Sequence, residues 1–350
     1  MAYISMGCAY FMQWRSLLLG LFFLVMLLGC EVPNPPPVEL PPPRVMLSDL
    51  GPITVTRDEQ VIENVRINAS NQHGITVINK RNVVIRNCVI QHRNGVGIYF
   101  RNSPGIRIEN CHIIHTGAPA SGPNASETLN NITGELSPGA VIDNVRLEKG
   151  SSGIYLSDSP NAVLTRIEGR DFRGPFPRGQ LVQFSRSHSS RLENFSSING
   201  KESWVEDNLS AWRSSNVVFR NGYIEGNNSP SGVGIMFELD DGVSTGGLVE
   251  DVHLVRMGNG AVSGYPARNV IFRNVSVRDN ICHDQGRGVP LSGGLSFSGS
   301  PDSSNLRVEN SRYFNLCHIV LWDRQAFSFV EIKQENFALK IPFRAKFGWE

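Results

Sequence analysis

The sequence predicts an all-β solenoid of short parallel strands, and three observations carry that prediction. A residue column recurs at coil-length spacing, apolar and polar positions alternate around it, and short apolar runs precede it at a fixed distance. Asn64, Asn87 and Asn110 stand at two equal intervals of 23 residues. The same local pattern recurs at Asn144, Arg166, Asn194, Asn221, Asp251, Asn274 and Asn310. Two positions before each is an apolar residue, from Ile62 and Ile85 through to Phe272 and Val308. One position before is a polar residue, as in Glu63, Arg86, Glu109 and Asp143. Period-two alternation that repeats at coil length marks a solenoid whose coils stack as parallel strands.

One coil serves as template. Ile75 and Val77 point one way and Thr76 the other; Val83 and Ile85 point inward while Arg86 faces water. After Asn87, Cys88 and Ile90 return inward. Each coil therefore offers three short strands, and stacking predicts three parallel sheets around one apolar core. No coil buries its face alone, so stability comes from its neighbours. Asparagine suits the corner between the second and third strands because it tolerates the left-handed conformation. Its amide can also bond the Asn above and below. Arg166 and Asp251 interrupt the column and are expected to be local irregularities.

Repeats such as RNVVIRNCVI (81–90) and RNVIFRNVSV (268–277) resemble the right-handed parallel β-helix family of pectate-lyase-like proteins. The resemblance covers roughly residues 52–335 and implies a right-handed, single-stranded parallel β-helix of about ten coils. It implies little about activity, since the family spans lyases, hydrolases, epimerases, adhesins and metal-delivery proteins. The solenoid is expected over 52–326. Residues 327–350 lose the Asn column and gain aromatics, and are expected to form a C-terminal cap.

In enzymes of this family the resemblance implies a substrate groove on the first sheet. Counting twelve residues back from the Asn column locates that sheet's strands, with insertions lengthening two coils. The outward positions are then Thr76, Tyr99, Thr133, Tyr155, Gln183, Ser210, Met236, Ser263 and Ser296. Tyrosine rings suit the apolar faces of sugars, so Tyr99 and Tyr155 with Gln183 are candidate substrate contacts. The bland alternative is a solvated sheet.

The richest polar patch lies beside this row. Arg178 and Gln180 lead into Gln183; Glu206 and Asp207 precede Ser210; Glu238, Asp240 and Asp241 follow Met236. Carboxylates on successive coils could hold Ca²⁺, with Asp207, Asp240 and Asp241 as ligands. They could instead form an acid and base pair. Arg178, Arg186, Lys201 and Arg213 could meet a uronate carboxylate. In a lyase or epimerase Asp207 and Asp240 would hold a cation or polarise that carboxylate, with Arg178 or Arg213 as base or anchor. A hydrolase would use two of the same carboxylates. Acids at strand ends also bond turn amides, which would make the patch scaffold. His283 and Asp284, His73, and the polar insertion at 116–138 are further candidates.

The net charge of +1 and pI near 7.7 disfavour a nucleic-acid partner. Leu17–Leu28 is apolar and follows Arg15, too short to span a bilayer and suited to a signal peptide over 1–29. Leu27-Leu28-Gly29-Cys30 resembles the lipobox of bacterial lipoproteins, which implies lipidation of Cys30, and Glu31 then implies the outer membrane. With residues 1–11 free of basic charge, Met12 is an alternative start. The proline run within 30–51 reads as a semi-rigid spacer. The expected protein is thus a monomeric lipoprotein, held at the membrane by its lipid and partnered by a polysaccharide. A non-enzymatic role in the envelope is the rival reading. Cys88 and Cys111 share a column on adjacent coils, open either to a disulfide or to a pair of buried thiols. Cys282 and Cys317 are likewise left open.

Overall fold

The computed structural model describes residues 45–117, 129–174, 179–230, 232–239, 244–282, 293–321 and 325–350. Alternation at the Asn corners produces a ladder of parallel strands that climbs one coil at a time. The first sheet holds eleven strands, beginning with Ile53–Thr54, Ile75–Ile78 and Ile98–Arg101 and ending with His318–Leu321. The second holds fifteen, from Ser48–Leu50 and Val61–Ala69 to Phe327–Phe329 and Ile332–Gln334. Every pairing among them is parallel, and each sheet joins a strand to the matching strand one coil away.

The second and third expected strands of each coil belong to one sheet. On most coils they form one strand bent at the corner, as in Val84–His92, whose ladder pairs Arg86 with Glu109 and Cys88 with Cys111 and skips Asn87. On the last coils they are separate strands. The bend sits at the Asn column, where Asn64, Asn87, Asn110 and Asn144 have φ between 51° and 56°. Their amides stack: Asn87 donates to Asn64 at 3.0 Å, Asn110 to Asn87 at 3.3 Å and Asn144 to Asn110 at 2.9 Å. Arg166 and Asp251 are not irregular, contrary to expectation. Their φ values are 56° and 58°, Arg166 bonds Asp143, and Asp251 accepts from Asn274 at 2.9 Å. The corner geometry outlasts the asparagine.

A second ladder lies buried. Ser103 N–H donates to Ser137 Oγ, Ser137 to Ser159, Ser159 to Ser187 and Ser187 to Ser214, each at 2.9–3.0 Å. These hydroxyls satisfy turn amides that the coil would otherwise bury unpaired. Between the sheets the core is aliphatic in the early coils and aromatic later. Phe184, Phe219, Phe237 and Phe272 stack in sequence with centroids 5.8–6.2 Å apart, all fully buried. Each such side chain contributes about 1.5–3 kcal/mol by leaving water. Cys88 and Cys111 are free buried thiols in register, whereas Cys282 and Cys317 form a disulfide with Cα atoms 5.8 Å apart.

Of the expected cap, residues 327–334 stack on the last coil by parallel pairing. Residues 335–350 then run back along the outside of the second sheet as a strap. Lys340 N–H donates to His253, Phe343 C=O accepts from Ser196, and Ala345 N–H donates to the buried carboxylate of Glu168. Phe347 stacks near His112 and under Arg146, and Gly348 C=O accepts from Val45 at 3.0 Å. The tail thus reaches the first described residue of the chain.

Candidate functional site

The outward residues of the first sheet are fixed by strand register. Thr76 pairs with Tyr99, Tyr99 with Thr133, Thr133 with Tyr155, and Tyr155 with Gln183. Gln183 pairs with Ser210, Ser210 with Met236 and Met236 with Ser263. The expected row is present up to that point. Its last member is corrected: Ser263 pairs with Ser298, and Ser296 pairs with Val320 on the next coil. Phe297, the partner of Val262, lies thirteen residues before Asn310 rather than twelve, so a fixed count misses it.

Two residues further along each strand, a second outward row runs beside the first. It reads Arg101, Glu135, Ser157, Ser185, Trp212, Glu238 and Tyr265. Together the rows carry an aromatic ring on every second strand: Tyr99, Tyr155, Trp212, Tyr265. Adjacent strands lie about 4.8 Å apart, so along the solenoid axis the rings recur at roughly 10 Å, with Trp212 and Tyr265 set about 7 Å to one side of Tyr99 and Tyr155. Tyr265 is 53% exposed, and the other three are half-buried. The intervening strands present polar groups. Tyr99 donates to Glu135 at 3.2 Å, and Arg101 lies 3.7 Å from the same carboxylate. Burial and the negative charge of Glu135 raise the Tyr99 phenol above its ordinary pKa. Gln183 Oε1 and Ser185 Oγ, between Tyr155 and Trp212, are buried atoms without a hydrogen-bond partner among the described residues.

The far edge of the sheet concentrates cations. Arg186 and Arg213 occupy left-handed corners with φ of 47° and 51°. Arg186 bonds both oxygens of Asp158 at 2.7 Å and holds that carboxyl below its usual range. The two guanidinium groups stand 5.4 and 4.2 Å from the Trp212 ring centroid. Each contact of this kind is worth about 0.5–1 kcal/mol at an exposed site and fixes the ring's orientation. Arg213 also donates its backbone N–H to Glu238 C=O at 2.8 Å.

The near edge places the acidic pair differently from the sequence reading. Glu206 and Asp207 are 8% and 5% exposed, on the loop that leads into Leu209–Trp212. Asp207 accepts the Val233 N–H at 2.9 Å, and Glu206 accepts the Ser229 hydroxyl at 3.0 Å. Burial, and then the neighbouring Glu206, push the Asp207 carboxyl well above its ordinary value. A Cβ on Gly232 would lie 1.4 Å from Glu206 C=O, so the backbones touch where only glycine fits. Closed from water and committed to an amide, Asp207 ties one coil to the next. That geometry suits neither a Ca²⁺ ligand nor a group that meets substrate. Lys201 is exposed at the start of the same loop, where its C=O accepts from Asn228.

Arg178, Asp240 and Asp241 lie outside the described residues, as do Cys30, His283 and Asp284. Among the described residues no group of three or more His, Cys, Asp or Glu is placed to hold a metal ion. His73 stacks on Tyr99 with centroids 4.9 Å apart and accepts the Val96 N–H, which orients the tyrosine. Sequence reasoning missed Trp212, Glu135, Asp158 and Tyr265. Extending the strand count by two outward positions would have found all but Asp158.

A family model described as right handed beta helix region matches residues 52–165. No curated protein matches the chain in sequence. Among solved structures, the catalytic domain of a GH87 alpha-1,3-glucanase in complex with nigerose is similar at 12% identity and a TM-score of 0.46. That match covers 81% of this chain and 62% of the glucanase. The tailspike protein gp49 from Pseudomonas phage LKA1 is similar at 11% identity and a TM-score of 0.49, covering 79% and 46%. The family 28 exopolygalacturonase of Yersinia enterocolitica follows at 12% and 0.35, covering 77% and 46%. The chain spans less than two thirds of each, and likenesses of this degree carry no argument about activity. The matched region and the strand ladder give a parallel β-solenoid, right-handed by the family description.

Proposed function

We propose that the outer face of the first sheet binds an extended polysaccharide, laid along the solenoid axis across successive coils. The observation that carries this reading is the aromatic ring on every second strand. Rings recurring at roughly 10 Å match a linear polymer of two-sugar repeats, because each ring can meet the apolar face of an equivalent sugar. Glu135, Gln183 and Glu238, the partly exposed polar groups on the strands between, would meet hydroxyls. Arg213, packed on the Trp212 ring, favours a chain that carries carboxylates, hence a uronate-containing glycan, while Arg186 is paired with Asp158 and orients the ring.

Turnover is a further part of the proposal. Lyase or epimerase action would fall to Arg213, where a cation could neutralise the uronate carboxylate, together with Arg178 and Asp240 as the sequence reading assigns them. Hydrolysis would need two accessible carboxylates, and Asp207 is buried. Lipidation at Cys30, with the proline run as spacer, would hold this face away from an outer membrane.

Alanine substitution of Tyr155 and of Trp212 tests the binding. Each variant is expected to weaken retention by polygalacturonate at least tenfold in affinity electrophoresis, with the melting temperature nearly unchanged. Equal retention by folded variants would reduce the row to scaffold and favour a purely structural envelope protein. Products absorbing in the near ultraviolet would mark a lyase; new reducing ends without that absorbance would mark a hydrolase. Loss of membrane association in Cys30→Ser tests the anchor.

A further inference from the structure

A cavity of about 410 Å³ opens on the opposite side of the molecule, between the second sheet and the returning strap. Its floor is built from successive coils: His253 pairs in register with Ser276, and Ser276 with Arg312. The corner residue Asp251 and Lys340 of the strap line one side, and Glu335 with the ion pair of Lys333 and Glu331 line the other. None of these residues belongs to the first-sheet row.

The donors in this cavity are held for use. His253 Nδ1 accepts the Lys340 N–H at 3.2 Å, so the neutral ring carries its proton on Nε2 as a donor. Arg312 is oriented twice, by its Nε bond to Ser276 Oγ at 3.0 Å and by stacking 4.5 Å from the Phe337 centroid. Its ion pair with Glu335, at 3.4 Å, is between partly exposed groups and is weak. Lys340 Nζ bonds only neutral acceptors, Asn221 Oδ1 at 3.1 Å and Asp251 C=O at 2.7 Å. Among the described residues no carboxylate lies within ion-pair distance of it. A half-buried ammonium held by two carbonyl-type oxygens retains a proton for an anion. Acceptors are present too: the Asp251 carboxylate takes one bond from Asn274 and has lone pairs to spare.

We propose that this cavity binds a small acidic sugar, one carboxylate with several hydroxyls. The carboxylate would lie between Lys340 and Arg312, with His253 donating beside it, and hydroxyls would face Asp251. The volume falls within the range of small-ligand pockets, whose specificity comes from a few convergent polar groups. A bare anion would leave the acceptor side unmet, and a neutral sugar would leave the cations unmet.

Calorimetric titration with galacturonate, glucose and inorganic phosphate tests the assignment on the intact protein. Galacturonate is expected to bind with 1:1 saturation, and glucose and phosphate at least tenfold more weakly. Lys340→Met and Arg312→Lys should each weaken galacturonate binding at least tenfold while the protein melts within a few degrees of the original. The Tyr99→Ala/Tyr155→Ala variant should bind galacturonate unchanged, which separates this site from the polysaccharide face. Equal binding of glucose, stronger binding of phosphate, no saturation at millimolar galacturonate, or unchanged affinity in both cavity variants would each overturn the proposal. Loss of binding only in the tyrosine variant would do so as well.

Discussion

The two long faces of this solenoid start from the same repeat and end differently. On the second sheet, outward charges pair across coils: Arg86 with Glu63, Arg220 with Glu250, Arg273 with Glu250 and Glu309. The chain's own C-terminus then lies over the rest of that face. On the first sheet the outward rows hold small buried polar residues such as Ser185 and Ser210, with a partly exposed aromatic ring on every second strand. The second sheet is largely covered by its own ion pairs and by the tail, apart from the cavity beside Lys340, whereas the first sheet is marked by its rings. Ligand capacity in a repeat protein is found where the repeat's own pairing stops.

Removing residues 335–350 should break the comparison most severely. Phe337 and Phe347 are both buried. At about 1.5–3 kcal/mol each, their loss predicts destabilisation of roughly 5 kcal/mol, read by urea unfolding. Retention of polygalacturonate under folding conditions should survive. A loss of retention that matches the first-sheet variants would mean the faces are not independent.

Acid should act next, and first on the strapped face. Burial lowers the pKa of His253 to about 4, and that of His92 to about 3. Their unfolded values lie near 6.5, so above that pH both states are neutral and nothing is lost. Below it the unfolded chain takes up protons that the fold refuses, and stability falls by up to about 1.4 kcal/mol per pH unit for each group. His253 receives the strap's Lys340 N–H, so the protection of amides in 335–350, corrected for the pH dependence of intrinsic exchange, should fall between pH 6.5 and 4. Corrected protection that stays constant across that window would contradict this.

Asn87→Ala should cost about 2–3 kcal/mol, from a left-handed corner that alanine resists and two lost ladder bonds. Asn87→Gly should recover the strain and leave only the bonds missing, so the pair of melting curves separates the two causes. Identical curves would show that the corner stores no strain. The smallest effect is expected at Asp207→Asn, which keeps an acceptor for Val233 and removes the penalty for ionising a buried carboxyl. Stability at pH 7 should stay level or rise; a fall beyond about 1 kcal/mol would show that the charge itself is needed.

Much of the fold was legible because the corner at Asn64, Asn87 and Asn110 has a steric requirement that few residues meet, and it recurs with every coil. The buried serines carried the same kind of signal: Ser103, Ser137, Ser159, Ser187 and Ser214 each stand seven residues before the corner column. They pass for solvated turn residues because a hydroxyl's burial depends on the coil stacked above it. The strap was not legible. Ala345 meets Glu168 and Phe347 meets Arg146 across some two hundred residues or less, and no periodicity links such positions. Of the site, Tyr99, Tyr155 and Gln183 followed from counting. The burial of Asp207 did not, because it comes from Val233 and Ser229 closing over a loop that reads as polar.

In the proposed binding mode the aromatics read a two-sugar repeat. Binding of oligouronates of increasing length, measured by calorimetry, tests it most directly. Affinity should rise in steps, one for each added pair of sugars, and level off once the chain reaches from Tyr99 to Tyr265, roughly 30 Å across six strand intervals. Affinity that rises evenly with every sugar, or ignores length altogether, would contradict it.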